Sequence, residues 1–149
     1  MTASRILSKF RLSFLPALSA IPLSLAAQPD GLHAGAAAVD ISPTVTPFQL
    51  RSGPSSHVHD PLHVRAVAFR NGEGRAAIAI IDALGVGEDL CEEAKAVAAE
   101  RTGWRPEEML VAGTHTHTAP KGGDSSPGRV AYEELRRGGV AEALVRAIE

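Results

Sequence analysis

Two apolar runs with an amphipathic stretch between them constrain this chain more than any other feature. Ala76-Ala77-Ile78-Ala79-Ile80-Ile81 reads as a strand that is apolar on both faces and ends at Asp82. Met109 to Gly113 reads as a second buried strand. Between them, Leu90, Ala94, Val97, Ala98 and Arg101 recur at helical spacing within Glu88–Arg101, the arginine contributing its aliphatic stem. Glu88 and Asp89 suit the positive end of a helix, and Gly103 suits its close. Strand, helix, strand in succession forces a crossover. The two strands are then parallel, and the connection is right-handed in nearly all cases. Both strands end on one edge of the sheet. A strand with two apolar faces belongs in the sheet's interior.

The flanking segments extend this sheet. Leu62 to Arg70 alternates, with Val64, Ala66 and Ala68 on one face. Asn71-Gly72-Glu73-Gly74 then signals a hairpin into the apolar strand. Ala34 to Ile41 reads as another buried strand, ended by Ser42-Pro43. Thr44 to Pro61 is rich in Pro, Ser and Gly and reads as an irregular surface loop. Lys121 to Gly128 reads as a flexible rim or lid loop. Arg129 to Glu149 is helix-forming, with Val140, Leu144 and Ile148 on one face and an expected break or kink at Gly138-Gly139. The expected fold class is α/β: a mixed sheet with a β-hairpin and a right-handed βαβ unit, in an incomplete domain.

Composition narrows the function classes. With 149 residues, 44% hydrophobic and 21% charged, the chain suits one domain. A net charge of -2 gives no electrostatic footprint for nucleic acid. Cys91 is the single cysteine, so no intrachain disulfide can form, and its place in the helical pattern reads as a small apolar residue. Met1 to Ala27 reads as a signal peptide: Arg5, Lys9 and Arg11 precede an apolar run from Leu12 to Leu25, with small residues at Ala26 and Ala27 for cleavage. That run, interrupted by Pro16 and Pro22, is too short to span a bilayer. The expectation is an exported protein, periplasmic or extracellular, whose mature part is 28–149 with no transmembrane span.

The chemistry converges on Thr114-His115-Thr116-His117-Thr118-Ala119-Pro120, which follows the second buried strand. In extended backbone, side chains two apart share a face, so His115 and His117 are expected to point the same way. Two imidazoles on one face at a strand's end can approach one cation, and nitrogen donors suit zinc. The crossover places Asp82 at the end of the neighbouring strand, where a carboxylate can orient a metal-bound imidazole. A third cluster, His57, His59 and His63 around Asp60, reads as a polar loop with solvated imidazoles. Asp60 is a further candidate for orienting a group near the metal.

These residues carry a resemblance. Thr114-His115-Thr116-His117, followed by a small pair and Pro120, resembles the zinc-site motif of the neutral/alkaline (non-lysosomal) ceramidases. Ala34 to Pro43 is similar to that family's opening strand. His59-Asp60-Pro61-Leu62 with Arg65-Ala66 is similar to a second segment, and Asp82 with Gly85 matches a third. The four occur in the family's order and span Ala34 to Pro120. The resemblance implies a zinc-dependent hydrolase of linear amide bonds, N-acylsphingosine to sphingosine and fatty acid. It implies His115 as the zinc ligand and His117 as the catalytic residue beside the metal, near a ceramide-like lipid substrate. The family's remaining ligands, a His, a Glu and a Tyr, lie well downstream of the matched region, so the chain reads as the N-terminal portion of a longer catalytic domain. Thr118-Ala119 stands where the family often has Ser-Gly, a departure that removes a glycine's access to positive φ near the metal.

Other classes fit less well. A metallo-β-lactamase motif continues with Asp and His after its first pair, where this chain has Ala119 and Pro120. An amidohydrolase barrel needs a longer chain. The non-enzyme alternative is an exported binding domain with a vestigial metal site.

Overall fold

A computed structural model of the chain describes residues 31–120 and 127–149. The 1–27 segment and most of the 121–128 loop lie outside the described residues. Six strands and two main helices follow in order: β1 (His33–Asp40), β2 (Phe48–Leu50), β3 (Gly53–Ser55), β4 (His63–Asn71), β5 (Gly74–Ile81), α1 (Glu88–Thr102), β6 (Met109–Gly113) and α2 (Pro127–Ile148). A 3-10 turn at Pro106–Glu108 links α1 to β6.

The main sheet has the order β1-β4-β5-β6. β1, β4 and β5 pair antiparallel, and β6 joins β5 in parallel, with Ile81 opposite Gly113. The mixed sheet, the hairpin and the β5-α1-β6 crossover are therefore those the sequence predicts. Gly72, at φ 57, makes the two-residue turn between β4 and β5. Gly103, at φ 71, closes α1 by donating its N–H to the Ala99 carbonyl at 2.9 Å.

Both helices lie on one face of the sheet. Val64, Ala66 and Ala68 of β4 and Ala77, Ala79 and Ile81 of β5 are buried beneath them. The alanines keep this face low, so helices can approach closely. Several sequence expectations are corrected. First, β5 is interior to the sheet, but only one of its faces is covered by described residues. Ile78 and Ile80 are exposed, in cross-strand rows with Val67 and Leu110 and with Arg65 and Ala112. An apolar run alone does not reveal which face is covered. Second, α2 runs unbroken through Gly138-Gly139. A Cβ on Gly139 would lie 2.4 Å from Ile41 Cγ2, so this glycine permits helix-to-sheet contact rather than a break. Third, the 44–61 loop contains the β2–β3 ribbon. On α1, Leu90, Ala94 and Ala98 are buried as expected, but Val97 is exposed and Arg101 turns outward to Glu142 at 2.8 Å. Cys91 is half-buried.

The one-sided sheet gives a direct expectation. Ile81→Val should cost about 1 kcal/mol, the usual loss for a buried methyl. Ile78→Val should cost a few tenths at most, as exposed substitutions do. Urea unfolding of the two variants measures the difference, and equal losses would mean that both faces are covered.

Candidate metal centre

The parallel pair β5 and β6 delivers two loops to one rim. Thr114 donates its N–H to the Ile81 carbonyl at 3.0 Å, extending the ladder one step past the strands. A Cβ on Gly113 would sit 3.3 Å from the Ala83 carbonyl oxygen, so the chain segments leaving the two strands run in contact. Asp82 leaves β5 and His115 leaves β6 at this edge, as the crossover requires.

The histidines do meet, but not by the pleat. β6 stops at Gly113, and His115 adopts φ 61, the left-handed region that side-chain-bearing residues seldom enter. This turn sets the rings of His115 and His117 edge to face with centroids 5.3 Å apart. Thr116 and Thr118 pair through their hydroxyls at 2.9 Å, bracing the same turn. Both imidazoles are exposed. Beside them lies a cleft of about 560 Å³. Phe48, Leu50 and Leu62 form its apolar wall, and Thr116, Thr118 and Asp82 its polar side. His57, His59 and Asp60 also reach it. The His59 Nδ1–Asp60 Oδ2 pair, at 3.0 Å, is solvated on both sides. His115 and His117 stand outside the cleft's lining, at its rim.

Asp82 has other partners than an imidazole ring. Its Oδ2 accepts from the His63 N–H at 3.0 Å and from Arg65 Nη1 at 2.8 Å. Arg65 Nη2 lies 3.2 Å from His63 Nδ1. Burial by itself would push the Asp82 carboxyl up; the Arg65 guanidinium and the His63 amide outweigh it and hold it below the ordinary carboxylate value. A depressed folded pKa contributes stability above the unfolded value near ~4, and that contribution is lost as pH falls through the folded value. Arg65→Met should therefore cost about 1 kcal/mol at neutral pH, discounted because Arg65 is more than half exposed. In acid, with Asp82 protonated in both proteins, the two unfolding curves should converge. A difference that persists unchanged to low pH would mean the arginine acts through its stem alone.

Sequence reasoning missed the arginine side of the rim. On α2, Tyr132 and Arg136 are buried, and the guanidinium carbons of Arg129 and Arg136 lie 5.8 and 5.9 Å from the Tyr132 ring. Burial pushes the Tyr132 phenol up to about 12 despite the two flanking cations. The signal was present in the sequence: Arg129 and Arg136 fall in line with the apolar stripe of Val140 and Leu144.

As a zinc site the rim is right in kind and short in number. Imidazole nitrogen is a good zinc donor, but catalytic zinc takes three protein ligands and a water. Among the described residues no group of three or more His, Cys, Asp or Glu is placed to hold a metal ion.

No protein-family model matches the sequence, and no curated protein matches it. Solved structures do. The chain superposes on neutral ceramidase from Pseudomonas aeruginosa with a TM-score of 0.68 at 16% identity, over 80% of this chain and 21% of that one. A ceramidase complexed with C2 gives 0.59 at 16% identity, over 80% and 20%. The fold is thus ceramidase-like, and the chain spans about a fifth of the length of these structures.

Proposed function

We propose that this chain carries part of the active site of an exported, zinc-dependent hydrolase that cleaves the amide bond of ceramide-like lipids. The observation that supports it best is the imidazole pair, 5.3 Å apart by ring centroid, held in a left-handed turn at the C-terminal rim of a ceramidase-like sheet. Residues in sparsely populated backbone regions cluster at functional sites, and His115 is such a residue. In this reading His115 is a metal ligand and His117 faces the substrate carbonyl beside it. Zinc, when bound, supplies a water of lowered pKa and polarises the carbonyl. The cleft takes the apolar part of the substrate against Phe48, Leu50 and Leu62, with Thr116 and Thr118 near its polar end. The reading needs at least two further metal ligands from outside the described residues. The 1–27 segment is read as a signal peptide; no described helix is long and apolar enough to cross a membrane.

The test is zinc content together with hydrolysis of an N-acylsphingosine, each with and without a chelator, on the protein that carries this chain. Stoichiometric zinc and a chelator-sensitive release of fatty acid are expected. Protein that retains no zinc and releases none overturns the proposal. The exposed position of both imidazoles outside the cleft's lining favours a second reading, an exported binding domain that keeps the fold and a vestigial site.

A further inference from the structure

One helix grips both loops of the rim. Arg136 Nη2 donates to the Gly85 carbonyl at 2.7 Å, and Arg129 Nη1 donates to the Pro120 carbonyl at 3.4 Å. Gly85 lies three residues beyond Asp82, and Pro120 three beyond His117. Both guanidiniums lie over the Tyr132 ring, and Glu133 binds both of them. Arg136 is only 7% exposed. Burying a guanidinium is unfavourable unless its hydrogen bonds are made, and here Arg136 Nε and the Tyr132 hydroxyl have no partner among the described residues. A leucine at 136 would continue the apolar stripe of α2 without that cost. The polar arrangement instead ties α2 to the loop that follows β5.

We propose that Arg136 and Arg129, which flank Tyr132 on α2, are positioning residues that set the distance between the Asp82 and His117 loops and so hold the histidine pair in its turn. The path from Arg136 is continuous. It fixes Gly85, the 83–85 backbone bears on Gly113, and Gly113 leads into His115. Arg129 holds the far end of the same turn through Pro120. The inference rests on His115 and His117 being the functional pair.

The test uses the protein that carries this chain and two readouts. The first is the ring Cε1–H resonances of His115 and His117, followed with the backbone amides of β1 and β4; the second is cobalt(II) titration. Arg136→Met should shift or broaden the two histidine resonances while leaving the β1 and β4 amides in place. It should weaken cobalt binding about tenfold, the lower end of what outer-shell removals cost. Tyr132→Phe, which removes only the unpartnered hydroxyl, should change neither. Arg136→Lys, which still reaches a carbonyl, should recover part of the loss. Should Arg136→Met not fold, Arg129→Met carries the test and should disturb His117 more than His115. Histidine resonances that move no more than in Tyr132→Phe, or changes spread equally through β1 and β4, overturn the proposal and make the ladder a matter of stability alone. Wild-type protein that binds no cobalt counts against the metal reading, while the resonances still decide the positioning role.

Discussion

Gly35→Ala is expected to destabilise the protein more than any other single-methyl change. A Cβ on Gly35 would lie 2.0 Å from the Ala147 carbonyl oxygen and 3.1 Å from its carbon. Both are backbone atoms in the last turns of α2, so no side-chain rotation relieves the overlap. Either α2 lifts off β1, or β1 shifts against β4, where Gly35 pairs with Ala68. Lifting α2 opens the layer that buries Ala66, Ala68 and Val64, and overpacking of this kind costs about 3 kcal/mol or more. In a domain of this size that is a fall in Tm of roughly 10 °C. Gly138→Ala is the companion measurement. Gly138 is exposed on the same helix, nothing lies within 4 Å of its added Cβ, and the substitution should stabilise by about 0.5–1 kcal/mol through helix propensity. Thermal unfolding separates the two. A Gly35→Ala protein as stable as the parent would mean that α2 does not touch β1 at this point.

The same contrast shows what was legible in the sequence. Glycine in a helical pattern has two meanings, a break or a close approach, and periodicity cannot separate them. Gly139 is the second case because Ile41, about a hundred residues earlier, comes to lie against it. What could be read was local and periodic: the hairpin at Gly72, the α1 stripe through Leu90, Ala94 and Ala98, and the parallel pairing that follows from a crossover. What could not be read depended on partners distant in sequence or on backbone angles. The β2–β3 strands are three residues each, with Pro54 among them, and fall below any periodic signal. Ile78 and Ile80 look as buried in the sequence as Ile81, and only the side chosen by α1 and α2 distinguishes them. The same limit applied at the site. Residue type singles out His115 and His117, and strand alternation predicts that they meet. It is achieved by a left-handed turn that no histidine announces. Asp82 was placed at the right rim, but its carboxylate is engaged by Arg65, whose alternation pointed only to an outward strand position.

His115→Gly is the change that should divide stability from function most sharply. At φ 61 a side-chain-bearing residue costs about 1–2 kcal/mol relative to ordinary backbone, and glycine carries no such cost. Glycine loses about 0.5–1 kcal/mol more conformational entropy on folding, so the net change lies between zero and a gain of about 1.5 kcal/mol. Because the imidazole is exposed, its removal leaves no cavity. Tm should therefore hold or rise by a few degrees. Zinc affinity should fall by about two orders of magnitude or more, since loss of an outer-shell group alone costs 10–100-fold. His115→Ala completes the comparison: it removes the same imidazole but keeps the strained angle, so its stability should match the parent while its zinc affinity matches the glycine variant. On the proposed function, the pattern follows from a residue kept in an unfavourable conformation for what its side chain does. If His115→Gly instead unfolds several degrees below the parent, the ring contact with His117 is a structural one and the turn exists to make it. If zinc affinity is unchanged, the metal is held elsewhere, and His115 has no part in it.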